Sequence, residues 1–334
     1  MVSLFMDEDN KELRPPVLAD FQGQKDTTKQ LSVMIRAALK RGDALEHILL
    51  TGPPGLGKTT LANIMAAEMG KKAKITSGPA LDKPGDLVGI LTELNDGDIL
   101  FIDEIHRLKP VIEEYLYPAV EDFKLDVVID QGAQAKSIRL ELQKFTLVAA
   151  TTRAGMISQP MMSRFVRTFR LNYYNLEELS GIVKRSSNIL GVPISDEASI
   201  KIAKRARGTP RIANNHLKWV RDYFQVESEK DVLDDIVTME ALEMLKIDDD
   251  GLNEGDLRLL KTIIEKFNGG PVGGETLATA LSEDFATIEE NHEPFLIMEG
   301  FLQRTSKGRV ASDKAFAKFG LSKPGLAPSQ ADLF

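Results

Sequence analysis

An α/β domain on a mostly parallel sheet, then a small helical domain, then a helical bundle ending in a hairpin: this is the fold class the sequence predicts, on three observations. Short β-prone runs alternate with helical patterns from about residue 26 to 172, which argues parallel strands covered by crossover helices. Apolar residues recur at three- and four-residue spacing over 173–247, the mark of amphipathic helices. Beyond an acidic, Gly-containing linker at 247–256, further helical patterns give way to FLQRTSKGRVAS, a Gly-centred hairpin. Helices closed by a hairpin make a winged-helix order.

Residues 1–25 are polar and contain Pro15 and Pro16, so they read as an arm laid on the first domain rather than as core. In 26–172, HILLTG, KITSG, DILFIDE and FTLVAATT supply strands, while LANIMAAEM and VIEEYLYPAVEDF supply helices. LDVVIDQGAQAKSIRLEL at 125–142 reads as a hairpin around Gly132. NLEELSGIVKRSSNILG, SDEASIKIAKRARG and TPRIANNHLKWVRDYFQV predict the helices of 173–247. The winged-helix segment runs over 248–320, and 321–334, bearing Pro, Gly and Ser, reads as a mobile tail.

Composition narrows the chemistry. The 334 residues carry 42 Lys and Arg against 50 Asp and Glu, a formal charge of −8, so any contact with a polyanion is local rather than global. With no Cys, disulfides, thiolate nucleophiles and Cys-ligated zinc are excluded. His47, His106, His216 and His292 are scattered along the chain and are read as having no ligand role. No apolar run approaches the roughly 18 residues of a membrane span, and the start is too acidic for a targeting peptide. The expectation is a soluble, cytoplasmic protein.

The strongest motif is Gly52-Pro53-Pro54-Gly55-Leu56-Gly57-Lys58-Thr59, a G-x-x-x-x-G-K-[ST] loop between an apolar strand and a helix. Such a loop curls backbone N–H groups around the phosphates of ATP, its Lys bridges β- and γ-oxygens and its hydroxyl ligates Mg²⁺. Thr60 adds an α-phosphate contact. Some 45 residues on, ILFIDE ends an apolar run in Asp103 and Glu104, at the sheet edge where ligands bind. Asp103 suits the Mg²⁺ shell and Glu104 the base that polarises water. A third strand ends in Thr151-Thr152-Arg153, where a hydroxyl would orient the lytic water or touch the γ-phosphate.

GPPGLGKTTLANIMAAEMG, KITSGPALDKPGDL, LFIDEIHRL, YPAVEDF, SIRLEL, ATTRAG, RGTPRIAN and GFLQRTSKGRVA, in order from about Leu13 to Gly320, resemble the RuvB family of AAA+ P-loop NTPases, which drive branch migration of Holliday junctions. The resemblance implies a large ATPase domain, a small helical lid and a winged-helix domain that binds DNA. It also implies a homohexameric ring on duplex DNA at four-way junctions, loaded by RuvA through the 125–142 hairpin. Leu13 and Arg14 would cover the adenine, with Tyr174 and Pro210 on its other side. Arg211 would sense the γ-phosphate, Thr152 would act as a first sensor, and Arg164 would be the finger that reaches a neighbouring subunit's nucleotide. Glu121-Asp122-Phe123 would lie on that same boundary. Spacing alone does not choose Arg164 over Arg153, Arg167 or Arg170.

Two residues depart from the family pattern. Val166 stands where the family usually has Gly, and Asn215 replaces an expected basic residue. Between Arg304 and Lys318 five basic residues stand against one acid, a local charge reversal suited to phosphate contact, and Arg304, Lys307 and Arg309 are the DNA-binding candidates. The terminal Gln330-Ala331-Asp332-Leu333-Phe334 resembles a sliding-clamp-binding peptide. The activity expected is a helicase-type ATP hydrolase; the alternative is an ATP-switched DNA-binding or clamp-loader-like scaffold without processive translocation.

Overall fold

The computed structural model describes residues 13–129 and 136–323. Among the described residues nine strands form three sheets: β1 (Ile48–Thr51), β2 (Ala73–Ser77), β3 (Ile99–Asp103), β4 (Lys124–Ile129), β5 (Lys136–Glu141), β6 (Thr146–Thr151), β7 (Arg167–Arg170), β8 (Leu302–Thr305) and β9 (Gly308–Ala311). The main sheet has the order β2-β3-β6-β1-β7, and every pairing in it is parallel. Strands covered on both faces need continuous apolar runs rather than alternation, and β1, Ile99–Ile102 of β3, and β6 are buried throughout. Register pairs Thr51 with Thr151 and Ile102 with Ala149, so Gly52, Asp103, Glu104 and Thr152 emerge at one carboxyl edge.

Contacts divide the chain into two units. One holds the described residues up to Ala203 together with Gly208–Lys218; the other holds Lys204–Arg207 and the chain from Trp219. This division does not fall at 173 and 247. Its cause is local: Trp219 Nε1 donates to the Ala241 carbonyl at 2.7 Å, while Arg205 pairs with Asp249 and Arg207 with the fully buried Asp256. These bonds tie Arg205, Arg207 and Trp219 to residues 241–256.

In the first unit, the helix Lys58–Glu68 follows β1, and Leu61, Ala62, Ile64 and Met65 bury its sheet-facing side. The helix Pro110–Glu121 ends where Phe123 takes a φ of 54° and turns the chain into β4. Phe123 also packs edge-on to Phe145, centroids 5.7 Å apart. β4 and β5 form the expected antiparallel hairpin, with Asp126 opposite Arg139 in a two-bond ion pair of 2.8 and 3.0 Å; its tip lies outside the described residues. The arm differs from expectation, since Leu13, Leu18 and Phe21 are buried. Apolar residues too sparse to signal core are nonetheless anchors.

His47 accepts from Leu147 N–H at Nδ1 and therefore donates from Nε2 to the Val120 carbonyl. Burial lowers its pKa, which keeps it a neutral structural bridge. In the second unit, Glu254–Lys266, Gly274–Leu281 and Glu293–Met298 close over a core that includes Leu259, Leu260, Ile263, Leu277, Leu296 and Phe301, with β8 and β9 as the wing. Asn253 and Asp256 form a reciprocal capping box on the first of these helices.

Candidate active site

The loop after β1 wraps the start of the helix Lys58–Glu68, whose first N–H groups are unpaired within the helix and favour an anion. Lys58 is nearly buried, and its Nζ donates to the carbonyls of Gly52 at 2.8 Å and Pro53 at 2.9 Å. Gly55 has φ +78°, and a Cβ there would lie 2.7 Å from Thr209 Cγ2 and 3.1 Å from Arg211 Cβ. Only glycine lets the Thr209–Arg211 segment approach the loop this closely.

One cleft of about 1050 Å³, measured out to its open mouth, brings together Leu13, Arg14, Gly55, Gly57, Lys58, Thr59, Thr60, Asp103, Glu104, Tyr174, Pro210 and Arg211. Gly52, Leu56 and Thr152 adjoin it through hydrogen bonds: Gly52 O from Lys58 Nζ, Leu56 O from the Tyr174 hydroxyl at 3.1 Å, and Thr152 Oγ1 to Glu104 Oε2 at 3.2 Å. Burial raises the Tyr174 pKa, so its hydroxyl stays a neutral donor. Phe21, Ile182, Arg185 and Asn214 also line the cleft, and none stood out in the sequence. Arg185 donates to the Leu13 carbonyl at 2.8 Å.

The electrostatics suit a polyanion carrying a cation. Burial lowers the Lys58 pKa; Asp103 and Glu104 oppose that shift and Arg211 adds to it. Burial raises the Asp103 pKa, against the pull of the Glu104 N–H, Lys58 and Arg211. Among the described residues no group of three His, Cys, Asp or Glu is arranged to hold a metal ion. Thr59 and Asp103 instead offer two hard oxygen donors in one cleft, the sparse set that suits a magnesium ion completing its shell with phosphate oxygens and water.

Glu104 sits in the left-handed region, φ 49° and ψ 47°. Its Oε2 is 3.1 Å from His106 Nδ1, which is also 2.9 Å from Thr151 Oγ1. His106, read from sequence as having no ligand role, thus contacts a residue that lines the cleft. Arg164 and Glu121-Asp122-Phe123 do not line the cleft. Arg164 Nη2 pairs with Glu121 at 2.6 Å, with the guanidinium 5.9 Å from the Tyr117 ring centroid.

Residues 13–171 match the model of the Holliday junction DNA helicase RuvB P-loop domain, 174–248 the RuvB AAA lid domain, and 249–320 the RuvB C-terminal winged helix domain. The curated Holliday junction branch migration complex subunit RuvB of Flavobacterium psychrophilum is 55% identical over 316 residues, 95% of this chain and 93% of that protein. The chain belongs to the RuvB family. A solved RuvB of Thermotoga maritima, described as a Holliday junction branch migration motor, is 46% identical, with a TM-score of 0.85 over 94% of this chain and 100% of that one. A variant of that RuvB gives 0.86 over 93% and 99%. The RuvB assignment bears out the predicted fold class, a P-loop α/β domain with a helical lid and a winged helix. It also makes the chain a nucleotide-binding P-loop ATPase. No helix among the described residues is long and apolar enough to cross a membrane.

The RuvB pattern makes Val166 a departure, but its backbone lies outside the left-handed region and its N–H donates to the His47 carbonyl at 3.0 Å. The turn does not require glycine. In the wing, Lys307 and Arg304 are exposed, with Arg304 held 2.9 Å from Glu289. Arg309 corrects the expectation of exposed cations on both arms. It shares a face with Ala311, which points inward; its guanidinium is buried 2.6 Å from the buried Glu293 and lies over the Phe285 ring. That side chain is committed to the fold.

Proposed function

We propose that this chain is an ATP-hydrolysing, helicase-type motor that drives branch migration of Holliday junctions with RuvA, working as a homohexameric ring in the cytoplasm. What most supports this reading is the convergence of Lys58, Thr59, Asp103, Glu104 and Arg211 on one cleft in a RuvB-family chain. Backbone N–H groups of the loop, with Lys58 and Thr60, would grip the phosphates, while Leu13, Arg14, Tyr174 and Pro210 enclose the base and ribose end. Thr59 and Asp103 would hold Mg²⁺, which when bound neutralises charge on the β- and γ-phosphates. Glu104 would polarise the attacking water, with Thr152 fixing its carboxylate, and Arg211 would report nucleotide state to the lid helix it begins.

Arg164 would act on the nucleotide of the adjacent subunit, with Glu121-Asp122-Phe123 along the same boundary. Its present partner, Glu121, is more than half exposed, so the ion pair is weak enough to be exchanged for a phosphate. The β4–β5 hairpin would dock RuvA, and Arg304 and Lys307 would touch the DNA backbone without reading sequence. Gln330–Phe334, outside the described residues, is the candidate sliding-clamp peptide; equal recovery of clamp by chains with and without it would remove that idea.

The test is ATP-dependent conversion of a synthetic four-way junction to two duplexes, with and without RuvA. RuvA-stimulated, ATP-dependent conversion is the expected result. Stable ATP-dependent junction binding with no strand movement would overturn the motor in favour of a switched scaffold.

A further inference from the structure

A base that polarises water must be aimed, and Glu104 is the more exposed partner in its surroundings: its side chain is 30% exposed, against 7% for His106. The turn that carries both is closely packed. Ile105 is buried, Arg107 N–H closes onto the Glu104 carbonyl at 2.9 Å, and a Cβ on Gly78 would lie 2.5 Å from that carbonyl oxygen. His106 is therefore a fixed point against which Glu104 can be set.

Hydrogen positions follow from the partners. Thr151 Oγ1 accepts the Arg153 N–H at 3.0 Å and lies 2.9 Å from His106 Nδ1, which in turn lies 3.1 Å from Glu104 Oε2. A carboxylate oxygen only accepts, so at that distance Nδ1 makes a favourable contact only when it carries the proton. Thr151 Oγ1 is the hydrogen-bond partner of Nδ1, and Oε2 stands within reach of the same nitrogen while accepting the Thr152 hydroxyl at 3.2 Å. Groups from two elements, the turn after β3 and the end of β6, thus face one oxygen.

We propose that His106 is a positioning residue for ATP hydrolysis: its Nδ1–H and the Thr152 hydroxyl together hold Glu104 Oε2, which fixes the carboxylate and leaves Oε1 to polarise water. The inference rests on the reading of Glu104 as the base. It makes the catalytic carboxylate answer to the end of β6, the strand that leads into the segment bearing Arg164. Any displacement of Thr151 and Thr152 shifts both the His106 contact and the Thr152 contact at once.

The experiment compares His106→Asn, His106→Gln and His106→Ala with the unaltered full-length chain, measuring ATPase kcat and KM with RuvA and junction DNA present, and the affinity for a fluorescent ADP analogue. Asn places its amide nitrogen near the Nδ1 position; Gln reaches toward Nε2 instead. Loss of a charge-assisted hydrogen bond should lower kcat by about tenfold to a hundredfold in Ala and Gln. KM and ADP affinity should stay within about twofold, and Asn should recover most of the rate. Equal kcat in Asn and Gln, or a loss carried by KM, overturns the proposal; if the Ala variant fails to fold, the Asn–Gln comparison decides. Glu104→Gln, run in parallel, separates the two ideas. If it abolishes turnover while the His106 variants turn over normally, only this inference fails; if it turns over normally, the base assignment itself falls.

Discussion

Arg309→Met should destabilise the winged-helix unit rather than weaken its grip on DNA. The Arg309 side chain is 9% exposed and Glu293 2%, with Nε and Oε1 2.6 Å apart. Removing one partner of such a pair leaves an uncompensated buried charge and costs about 3–5 kcal/mol. In a domain the size of residues 249–320 each kcal/mol is worth about 4–8 °C, so the midpoint of this unit should fall by at least about 12 °C. Arg304 is the control. Its side chain is 52% exposed, pairs with Glu289 at 2.9 Å and lies 3.8 Å from Oε2 of Glu293, contacts worth at most about 1 kcal/mol at that exposure. Arg304→Gln should therefore melt within a few degrees of the unaltered protein yet bind duplex DNA more weakly. Removing one phosphate contact should reduce the log–log salt slope by about 1. Calorimetric unfolding and fluorescence anisotropy across a salt series measure both. Replacing the pair together, Arg309→Met with Glu293→Leu, should recover most of the lost stability, since no buried charge is stranded. An Arg309→Met protein that melts normally but loses a unit of salt slope would refute the buried-pair reasoning and return Arg309 to the DNA interface.

Three further outcomes are expected. Glu104→Gln should cut turnover by about 10²–10⁴ while nucleotide affinity, followed with a fluorescent analogue, is kept. Arg164→Ala should lower the ATPase rate by about 10³–10⁵, and mixing it with Lys58→Ala subunits should restore part of the rate, because the second variant lends its finger to the first one's nucleotide; no recovery on mixing would remove the intersubunit assignment. Burial raises the Asp103 pKa in the folded state, so its contribution to stability is complete below its unfolded value and is lost as pH rises through the folded value. Asp103→Asn should therefore raise the melting temperature of the nucleotide-free protein at pH 7, with the gain shrinking toward pH 4, while Mg²⁺-supported hydrolysis is lost.

The phosphate loop, the β3 carboxylates and the lid arginine were legible because each demands a residue type at a fixed point relative to a strand end or helix start. Gly55 shows how strict that demand is: its tight approach to Thr209 and Arg211 explains a glycine that the motif alone attributes to phosphate. What the sequence obscured came from contacts between segments distant in the chain. Leu13, Leu18 and Phe21 are isolated apolar residues in a polar arm, and only the walls they press against make them core. His106 meets a hydroxyl 45 residues away, so scanning histidines for ligand spacing passes over it. The signal was present in the three-residue step from Asp103 in a strand-end turn.

Arg309 failed for a different reason. Counting cations in the wing assumes that each faces water, and alternation along Gly308–Ala311 places Arg309 and Ala311 on one face and Gly308 and Val310 on the other. Hydrophobicity alone would choose the Val310 face as the inner one. The structure chooses the other because Ala311 is small enough to pack opposite Leu302, while Glu293 and the Phe285 ring supply a countercharge and a π face where the guanidinium enters. A charge inside a wing is tolerated only with such partners. The decisive information is therefore the acid sixteen residues upstream in the helix Glu293–Met298, and a basic count over the hairpin that omits that helix will overestimate its surface charge.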